Sequence, residues 1–267
     1  MKLTVLTDNT TRIDAYYLGE PGVSYYLEDG ESRILFDTGY SDVYLRNAAA
    51  MGIDISAVDT IVFSHGHDDH TRGLLSFPET AEKTAIVAHP GVLEQKHCDG
   101  LSIGMPMARE ELEARFTLRL SREPVQLSER LTYLGEIPRV TEFEGKEPIG
   151  ERFDGADWQS DYLLDDSALA YRGEEGLWII AGCSHAGICN IIDYAKRVCG
   201  DDRICGVIGG FHLLEMTPRV EKTAEYLKNI KPKHLCPCHC TSFHARAAIH
   251  GRVPIEEACV GDTLTLR

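Results

Sequence analysis

The segment from His65 to His70, HGHDDH, carries three histidines and two aspartates in six positions, one residue after the apolar run VDTIVF. The run has the length and composition of a buried strand, so we expect the cluster at the strand's C-terminal end. Residues two apart in extended chain point to the same side, so His65 and His67 can bind one metal ion. Asp69 and His70 would face a second ion as the chain turns. The chain must therefore fold so that further ligands reach this loop.

Four ligand-type side chains at this spacing indicate a metal site, whereas a single histidine on a strand is usually structural. Imidazole and carboxylate ligands suit zinc, iron or manganese better than calcium or magnesium. A transition-metal ion with an open coordination position lowers the pKa of bound water to about 7 and so generates hydroxide at neutral pH. We therefore predict a hydrolytic site that binds zinc as two ions, with iron or manganese as alternatives.

Both halves of the chain alternate strands with helices and end strands in loops rich in histidine. The first half has strand patterns over 2–8, 23–29, 32–39 and 58–67, with a helix between the last two that Ser41 would cap and Gly52 would end. The second half has the strand patterns LWIIAGCSH, ICGVIGGFH and HLCPCHCT, with the helix NIIDYAKRV and a helix opening at Thr217 and Pro218. The alternation predicts an α/β fold and one domain over 1–267, with a variable insert at about 98–166.

The stretch from Glu142 to Asp166 holds nine acidic residues, two basic residues and Trp158. A solvated loop is the favoured interpretation, because loops generally run over the protein surface. A lid over the site is the alternative.

The chain carries a formal charge of −15, from 27 basic and 42 acidic residues. This charge opposes binding to nucleic acid or to an anionic membrane, but local donors or metal ions can still hold a small anionic substrate. The nine cysteines come without an export signal or an apolar run of roughly 18 residues. We therefore expect a soluble, cytoplasmic protein whose cysteines are thiols or metal ligands. The sequence predicts no oligomeric state.

HGHDDH matches the HxHxDH motif of the metallo-β-lactamase superfamily, and the strands, LFDTG and helix before it also resemble that family. The resemblance implies a four-layer αββα sandwich with the metal site along one edge of the paired sheets. The segments LTDNTT, GVSYYLEDGESRILFDTG, SHGHDDHTRGL, GCSHAGICNII, GGFHL and PCHCT together are similar to one branch. That branch is named for 7,8-dihydropterin-6-yl-methyl-4-(β-D-ribofuranosyl)aminobenzene-5′-phosphate synthase.

The resemblance assigns His65 and His67 to a first ion, Asp69 and His70 to a second, and His239 to the second ion as a late ligand. The chain departs from the family pattern where a bridging aspartate is expected. Cys183 stands there, in AGCSH, and no histidine lies between His97 and His185. We assign His185 as the remaining imidazole ligand and Cys183 as a candidate thiolate ligand. The departure leaves the number of bound ions open.

His212, in GGFHL, follows a strand and precedes a helix, and the glycines would let backbone N–H groups approach an anion. The roles of metal ligand, proton donor, phosphate contact and plain structural residue all stay open for it. We count His212 and Asp69 as the candidate catalytic residues.

Two further motifs have competing interpretations. Asp37 lies in an Asp-Thr-Gly motif like that of aspartic proteases, but those need two such carboxylates and the chain has one. We read Asp37 as an acceptor that orients a ligating histidine. The run CPCHC, Cys236 to Cys240, spaces its cysteines by one residue, which disfavours a structural zinc or iron–sulfur site.

Together these features predict a metal-dependent hydrolase that uses a metal-bound hydroxide on a small anionic, phosphorylated ester. The branch name implies an alternative, a transferase that joins a dihydropterin-methyl diphosphate to a ribosylaminobenzene phosphate and releases diphosphate. A non-enzymatic metal- or redox-sensing module is a third hypothesis.

Overall fold

A computed structural model of the chain describes residues 1–80 and 82–267. Its strands, in chain order, are β1 (Lys2–Thr7), β2 (Ser24–Asp29), β3 (Ser32–Phe36), β4 (Thr60–Val62), β5 (Ala85–Ala88), β6 (Lys96–Cys98), β7 (Leu101–Ser102), β8 (Thr117–Leu120), β9 (Val125–Gln126), β10 (Leu131–Tyr133), β11 (Glu151–Phe153), β12 (Trp158–Ser160), β13 (Ala168–Arg172), β14 (Leu177–Ala181), β15 (Ile204–Gly210), β16 (His234–Cys238) and β17 (Thr263–Thr265). Its helices are α1 (Val43–Ala50), α2 (Asp68–Thr71), α3 (Arg109–Arg115), α4 (Ile188–Cys199), α5 (Pro218–Ile230) and α6 (Phe243–His250), with 3₁₀ turns at Ile55–Ala57, Arg72–Ser76 and Pro90–Leu93. Within the described residues, every helix is too short or too polar to span a membrane.

The contacts between residues divide the chain into two compact units. Unit 1 comprises residues 1–122, 148–165 and 259–265, and unit 2 comprises residues 123–147, 166–258 and 266–267. The single domain with a variable insert stays a prediction.

Unit 1 contains a seven-stranded sheet with the order β17-β1-β2-β3-β4-β5-β8. The neighbours from β3 to β8 are parallel and the others are antiparallel. Parallel neighbours need a crossover connection, and α1 lies in the one between β3 and β4. Buried apolar side chains from these elements, including Leu35, Tyr44 and Phe63, form one core. A smaller antiparallel sheet, β12-β11-β6-β7, belongs to the same unit.

Unit 2 contains a six-stranded sheet with the order β16-β15-β14-β13-β10-β9. The strands β14, β15 and β16 are parallel, and α4 and α5 connect them. All five residues of β14 and all seven of β15 are buried, as expected for parallel strands covered on both faces. The loops that follow these three parallel strands lie at one edge of the sheet, and they carry His185, His212 and His239.

The predicted alternation of strands and helices is confirmed in both halves, with one correction at α1. Its N-cap is Asp42 and not Ser41. The Ser41 hydroxyl donates instead to Glu20 Oε2 at 2.5 Å and accepts from the Val43 N–H at 3.3 Å. Gly52 follows the end of the helix with a φ of 72°, as its predicted place at the C-terminus requires.

The acidic stretch from 142 to 166 needs a second correction. It contains β11 and β12, and four of its carboxylates are buried: Glu144, Asp161, Asp165 and Asp166. Backbone N–H groups and the Lys96 ammonium donate hydrogen bonds to these carboxylates. The solvated-loop interpretation is therefore wrong for these four residues, while the lid stays a prediction.

Candidate metal centre

The HGHDDH loop leaves the end of β4 and turns directly into α2. The His67 carbonyl oxygen accepts hydrogen bonds from the N–H groups of His70 and Thr71, both at 3.1 Å. This turn brings the rings together, with the His65 centroid 4.7 Å from that of His67 and 4.3 Å from that of His70. A side chain at Gly66 would put a Cβ 2.8 Å from the Val92 carbonyl oxygen, so the close packing of the loop requires glycine there.

Asp37, at the end of β3, orients two of the histidines. Its Oδ2 lies 2.7 Å from His70 Nδ1 and 2.7 Å from Ser64 Oγ, and Ser64 Oγ lies 2.9 Å from His65 Nδ1. An ionised carboxylate only accepts, so Ser64 Oγ donates to Asp37 and must accept from the His65 ring. Both rings then carry their proton on Nδ1 and leave Nε2 for a metal.

The contact with His70 agrees with the role predicted for Asp37, whereas Ser64 was not among the predicted site residues. Its only sequence signal is a hydroxyl residue immediately before the HxH pair. Both side chains are completely buried.

The pKa values of two candidate ligands, His67 and His70, shift in opposite directions. Burial lowers the pKa of His67 to about 4, although the carboxylates of Asp69 and Asp165 act in the other direction. At neutral pH His67 is therefore an uncharged imidazole, the form that binds metals. Burial also lowers the pKa of His70, but the carboxylates of Asp69 and Asp37 outweigh it and raise that pKa well above its usual range. A metal ion at His70 would replace this proton.

Hydrogen bonds tie together the three histidine-bearing loops of unit 2. The Ser184 hydroxyl donates to the Gly210 carbonyl oxygen at 2.7 Å, and the Phe211 N–H donates to Thr241 Oγ1 at 3.0 Å. Cys240 Sγ accepts from the His212 N–H at 3.3 Å. These contacts fix the ends of β14, β15 and β16 relative to each other.

Four residues of the candidate site have a left-handed backbone although they are not glycine. The φ angles are 57° at Asp37, 57° at Ser184, 45° at His212 and 49° at His239. Such conformations are uncommon outside glycine and concentrate at functional sites.

All seven predicted metal ligands fall into two groups of side chains. In each group the potential ligand atoms all lie within 4.8 Å of one another. One group consists of His65, His67 and His185, and the other of Asp69, His70, Cys183 and His239. Cys183 and His185, two residues apart in the chain, belong to different groups.

His212, the other candidate catalytic residue, belongs to neither group. Its ring centroid lies 4.4 Å from that of His185, so it borders the three-histidine group. Cys236, Cys238 and Cys240 are also outside both groups. His89 is buried, and its Nδ1 accepts from the Gly91 N–H at 3.0 Å, which is a structural role.

The donor atoms of the two groups fit transition-metal ions. Three imidazoles leave an open position on a tetrahedral ion, and the combination of carboxylate, imidazole and thiolate favours zinc or iron over calcium and magnesium. The arrangement can therefore hold one or two ions.

Comparisons with known proteins identify the family. The metallo-β-lactamase superfamily model matches residues 18–182. The chain is 31% identical over 263 residues to 7,8-dihydropterin-6-methyl-4-(β-D-ribofuranosyl)-aminobenzene-5′-phosphate synthase of Methanocaldococcus jannaschii, covering 92% of this chain and 89% of the synthase.

Solved structures share the fold. Tm1679, a metal-dependent hydrolase of the β-lactamase superfamily, is 30% identical with a TM-score of 0.85, over 100% of this chain and 99% of that one. Zn²⁺-bound PqqB of Methylobacterium extorquens is 14% identical with a TM-score of 0.58, covers 100% of both chains, and shows the fold alone. These matches confirm the predicted α/β fold of the metallo-β-lactamase type. Since the family model covers more than half of the chain and two relatives share 30% identity or more over nearly all of it, the chain belongs to the metallo-β-lactamase superfamily.

Proposed function

We propose that the protein is a metal-dependent hydrolase that acts on a small anionic, phosphorylated ester. The observation that carries the proposal is the pair of ligand groups, each with all its potential donor atoms within 4.8 Å. The 30% identity to Tm1679, a metal-dependent hydrolase, supports the reaction class.

We propose zinc as the metal, bound as two ions, with iron or manganese as alternatives. His65, His67 and His185 would hold one ion, and Asp69, His70, Cys183 and His239 the other. When bound, such ions activate water at neutral pH and neutralise charge on the reacting phosphate.

The protein's own residues prepare the site for these ions. Asp37 and Ser64 fix the rings of His65 and His70 with Nε2 available, and burial keeps His67 uncharged. His212 borders the three-histidine group and Asp69 is partly exposed, so we assign these two residues to proton transfer with the substrate. Because the whole chain carries a charge of −15, the attraction for an anion must come from local groups, among them the bound ions.

Activity of metal-loaded protein on a broad panel of esters and phosphoesters tests the proposal. Metal content per chain is measured first, by elemental analysis of anaerobically purified protein. We expect close to two transition-metal ions in the wild type, fewer in His185→Ala, and turnover that falls with the metal content. A metal-loaded wild type that hydrolyses nothing in the panel would contradict the hydrolase.

A transferase is the second candidate, because the Methanocaldococcus jannaschii relative is a synthase of a dihydropterin-methyl-ribofuranosylaminobenzene phosphate. Both reactions would use the same metal ligands and a phosphorylated substrate, but they differ in the nucleophile. Release of diphosphate only when a dihydropterin-methyl diphosphate and a ribosylaminobenzene phosphate are both present would select the transferase. Hydrolysis of a single phosphoester without a second substrate would select the hydrolase.

A further inference from the structure

Two consecutive carboxylates, Asp165 and Asp166, bind backbone N–H groups of the loops that carry the three-histidine group. Asp165 Oδ2 accepts from the N–H of Gly66, which stands between His65 and His67, at 2.8 Å. Asp166 Oδ2 accepts from the N–H of Ala186, directly after His185, at 2.9 Å. Each aspartate thus contacts the backbone next to a candidate ligand.

Both carboxylates are buried, with relative exposures of 2% for Asp165 and 1% for Asp166. Burying a carboxylate is costly unless it is hydrogen-bonded and paired, so these positions require a specific contact. Composition alone predicts a solvated surface stretch here and so gives no signal for the buried pair.

A buried ammonium group fixes Asp165. Lys96, on β6, is 1% exposed, and its Nζ lies 3.0 Å from Asp165 Oδ1 and 2.6 Å from Asp161 Oδ2. The Lys96 side chain also packs against the ligand loop, since a Cβ at Gly66 would lie 3.0 Å from Lys96 Cε. One oxygen of Asp165 therefore binds the Lys96 ammonium, and the other binds the Gly66 N–H.

The sheet of unit 2 fixes Asp166. Strand β13 begins two residues later at Ala168, which pairs with Ala181 at the end of β14. His185 follows that end of β14 by four residues. The pairing of β13 with β14 thus brings Asp166 to the loop that carries His185.

We infer that Asp165 and Asp166 are positioning residues for the metal centre, which set the backbone of the His65–His67 and His185 loops through Gly66 and Ala186. The inference rests on the proposed metal site and deepens it. Outer contacts of this kind on metal ligands commonly alter affinity by about 10–100-fold when removed. Here the contact is to the backbone beside the ligands, so it acts on the placement of the rings.

The first readout needs no metal. Hydrogen–deuterium exchange is measured in metal-free protein for peptides covering residues 63–70 and 183–190, in wild type, Asp165→Ala and Asp166→Ala. We expect faster exchange at 63–70 in Asp165→Ala and at 183–190 in Asp166→Ala, with the other peptide closer to wild type. Asp161→Asn, which leaves the contact with Gly66 in place, should change exchange at 63–70 less than Asp165→Ala does.

The second readout is metal affinity, measured by competition of Zn²⁺ with a chelator, together with the absorption spectrum of bound Co²⁺. Both alanine variants should bind one of the two ions about 10–100-fold more weakly and give an altered Co²⁺ spectrum. Leu227→Ala, which truncates a buried core residue of α5, controls for lost stability and should keep affinity and spectrum. If an alanine variant does not fold, Asp165→Asn or Asp166→Asn, which keeps the side-chain size and one acceptor oxygen, replaces it, with smaller changes expected in the same direction.

Three results would overturn the inference. One is a wild type that binds Zn²⁺ while both variants keep its affinity and exchange pattern; this leaves the proposed function standing. Another is an equal loss of affinity in Leu227→Ala, which would make the effect one of general stability. A wild type that binds no metal would overturn the metal site and, with it, this inference.

Discussion

At Asp37 one buried carboxylate serves both ligand groups. Through Ser64 it orients His65, a member of the three-histidine group, and it contacts His70, a member of the other group, directly. Its Oδ1 also accepts the Ser64 N–H at 2.7 Å. The left-handed φ of 57° at this residue is one that aspartate and asparagine tolerate better than most side chains.

We therefore expect Asp37→Ala to lower the affinity for both ions by about 10–100-fold. The same substitution should lower the free energy of unfolding by on the order of 3 kcal/mol. The loss of stability follows because three buried donors lose their acceptor. Asp37→Asn keeps the backbone conformation and one acceptor oxygen, so its losses should be smaller. Zinc stoichiometry and urea unfolding measure the two effects, and an alanine variant that binds two ions as tightly as wild type would refute the role.

The role of Cys183 can be tested by its sulfur. If the thiolate binds the second ion, Co²⁺-loaded protein should show a sulfur-to-metal charge-transfer absorption that Cys183→Ala loses. Cys199→Ala removes a buried thiol at the end of α4 and should keep the absorption, because Cys199 belongs to neither ligand group. A spectrum unchanged by Cys183→Ala would leave Asp69, His70 and His239 as the ligands of that ion.

At the scale of the elements, α4 shows how a helix end can be completed by a distant residue. Its N-cap is Gly187, which has no side chain to accept from the first N–H groups. Glu144 Oε2 takes this place and accepts from the N–H groups of Cys189 at 3.0 Å and Asn190 at 3.1 Å. A Cβ at Gly187 would lie 2.3 Å from Glu144, so the position of the Glu144 side chain requires glycine at 187. Local sequence signals predict caps within a few residues, and this contact between positions 144 and 189 is beyond their reach.

Glu144 predicts a pH dependence of stability. Burial raises the pKa of Glu144 above its usual range, although hydrogen bonds and Arg219 act in the other direction. Between the unfolded-state pKa, about 4.3, and the raised folded-state pKa, the folded protein holds a proton that the unfolded chain has lost. The stability of the wild type should therefore fall as pH rises through this window. Glu144→Gln lacks this titration, so its stability relative to wild type should increase over the same pH range.

Urea unfolding at several pH values from acid to neutral measures this difference. Glu175→Gln is a control of opposite sign, because the contact with Lys233 lowers the pKa of Glu175. That variant should lose stability relative to wild type as pH rises, by a small amount since the pair is exposed. A parallel pH dependence in wild type and Glu144→Gln would contradict the prediction.

For the whole molecule, the sequence predicted what local pattern determines. The alternation of strands and helices follows from apolar periodicity, and His65, His67, Asp69 and His70 form a motif within six positions. His185 and His239 could be assigned only through the family resemblance, because their distance from His65 in the chain is large. The functions of Asp165 and Glu144 depend on which N–H groups the fold places against them, and composition gave no signal for either.

Metal removal should lower the stability of the folded chain as a whole. The candidate ligands come from residues 65–70 and 183–239, so an unfolded chain does not present them together. A ligand that binds only the folded state stabilises it by about 2.7 kcal/mol when its free concentration is 100 times the dissociation constant. For a chain of this size that corresponds to a rise in melting temperature of roughly 5 °C.

We therefore expect a lower melting temperature after dialysis against a chelator, with recovery when Zn²⁺ is restored. The matched control is the double variant His65→Ala, His67→Ala, which removes two ligands of the three-histidine group and should show a smaller difference between the two states. The thermal melts are followed at fixed pH and salt, with Zn²⁺ in excess over protein. A site that only the folded chain forms cannot bind an ion without stabilising the folded state. Equal melting temperatures for loaded and stripped wild type would therefore contradict such a site.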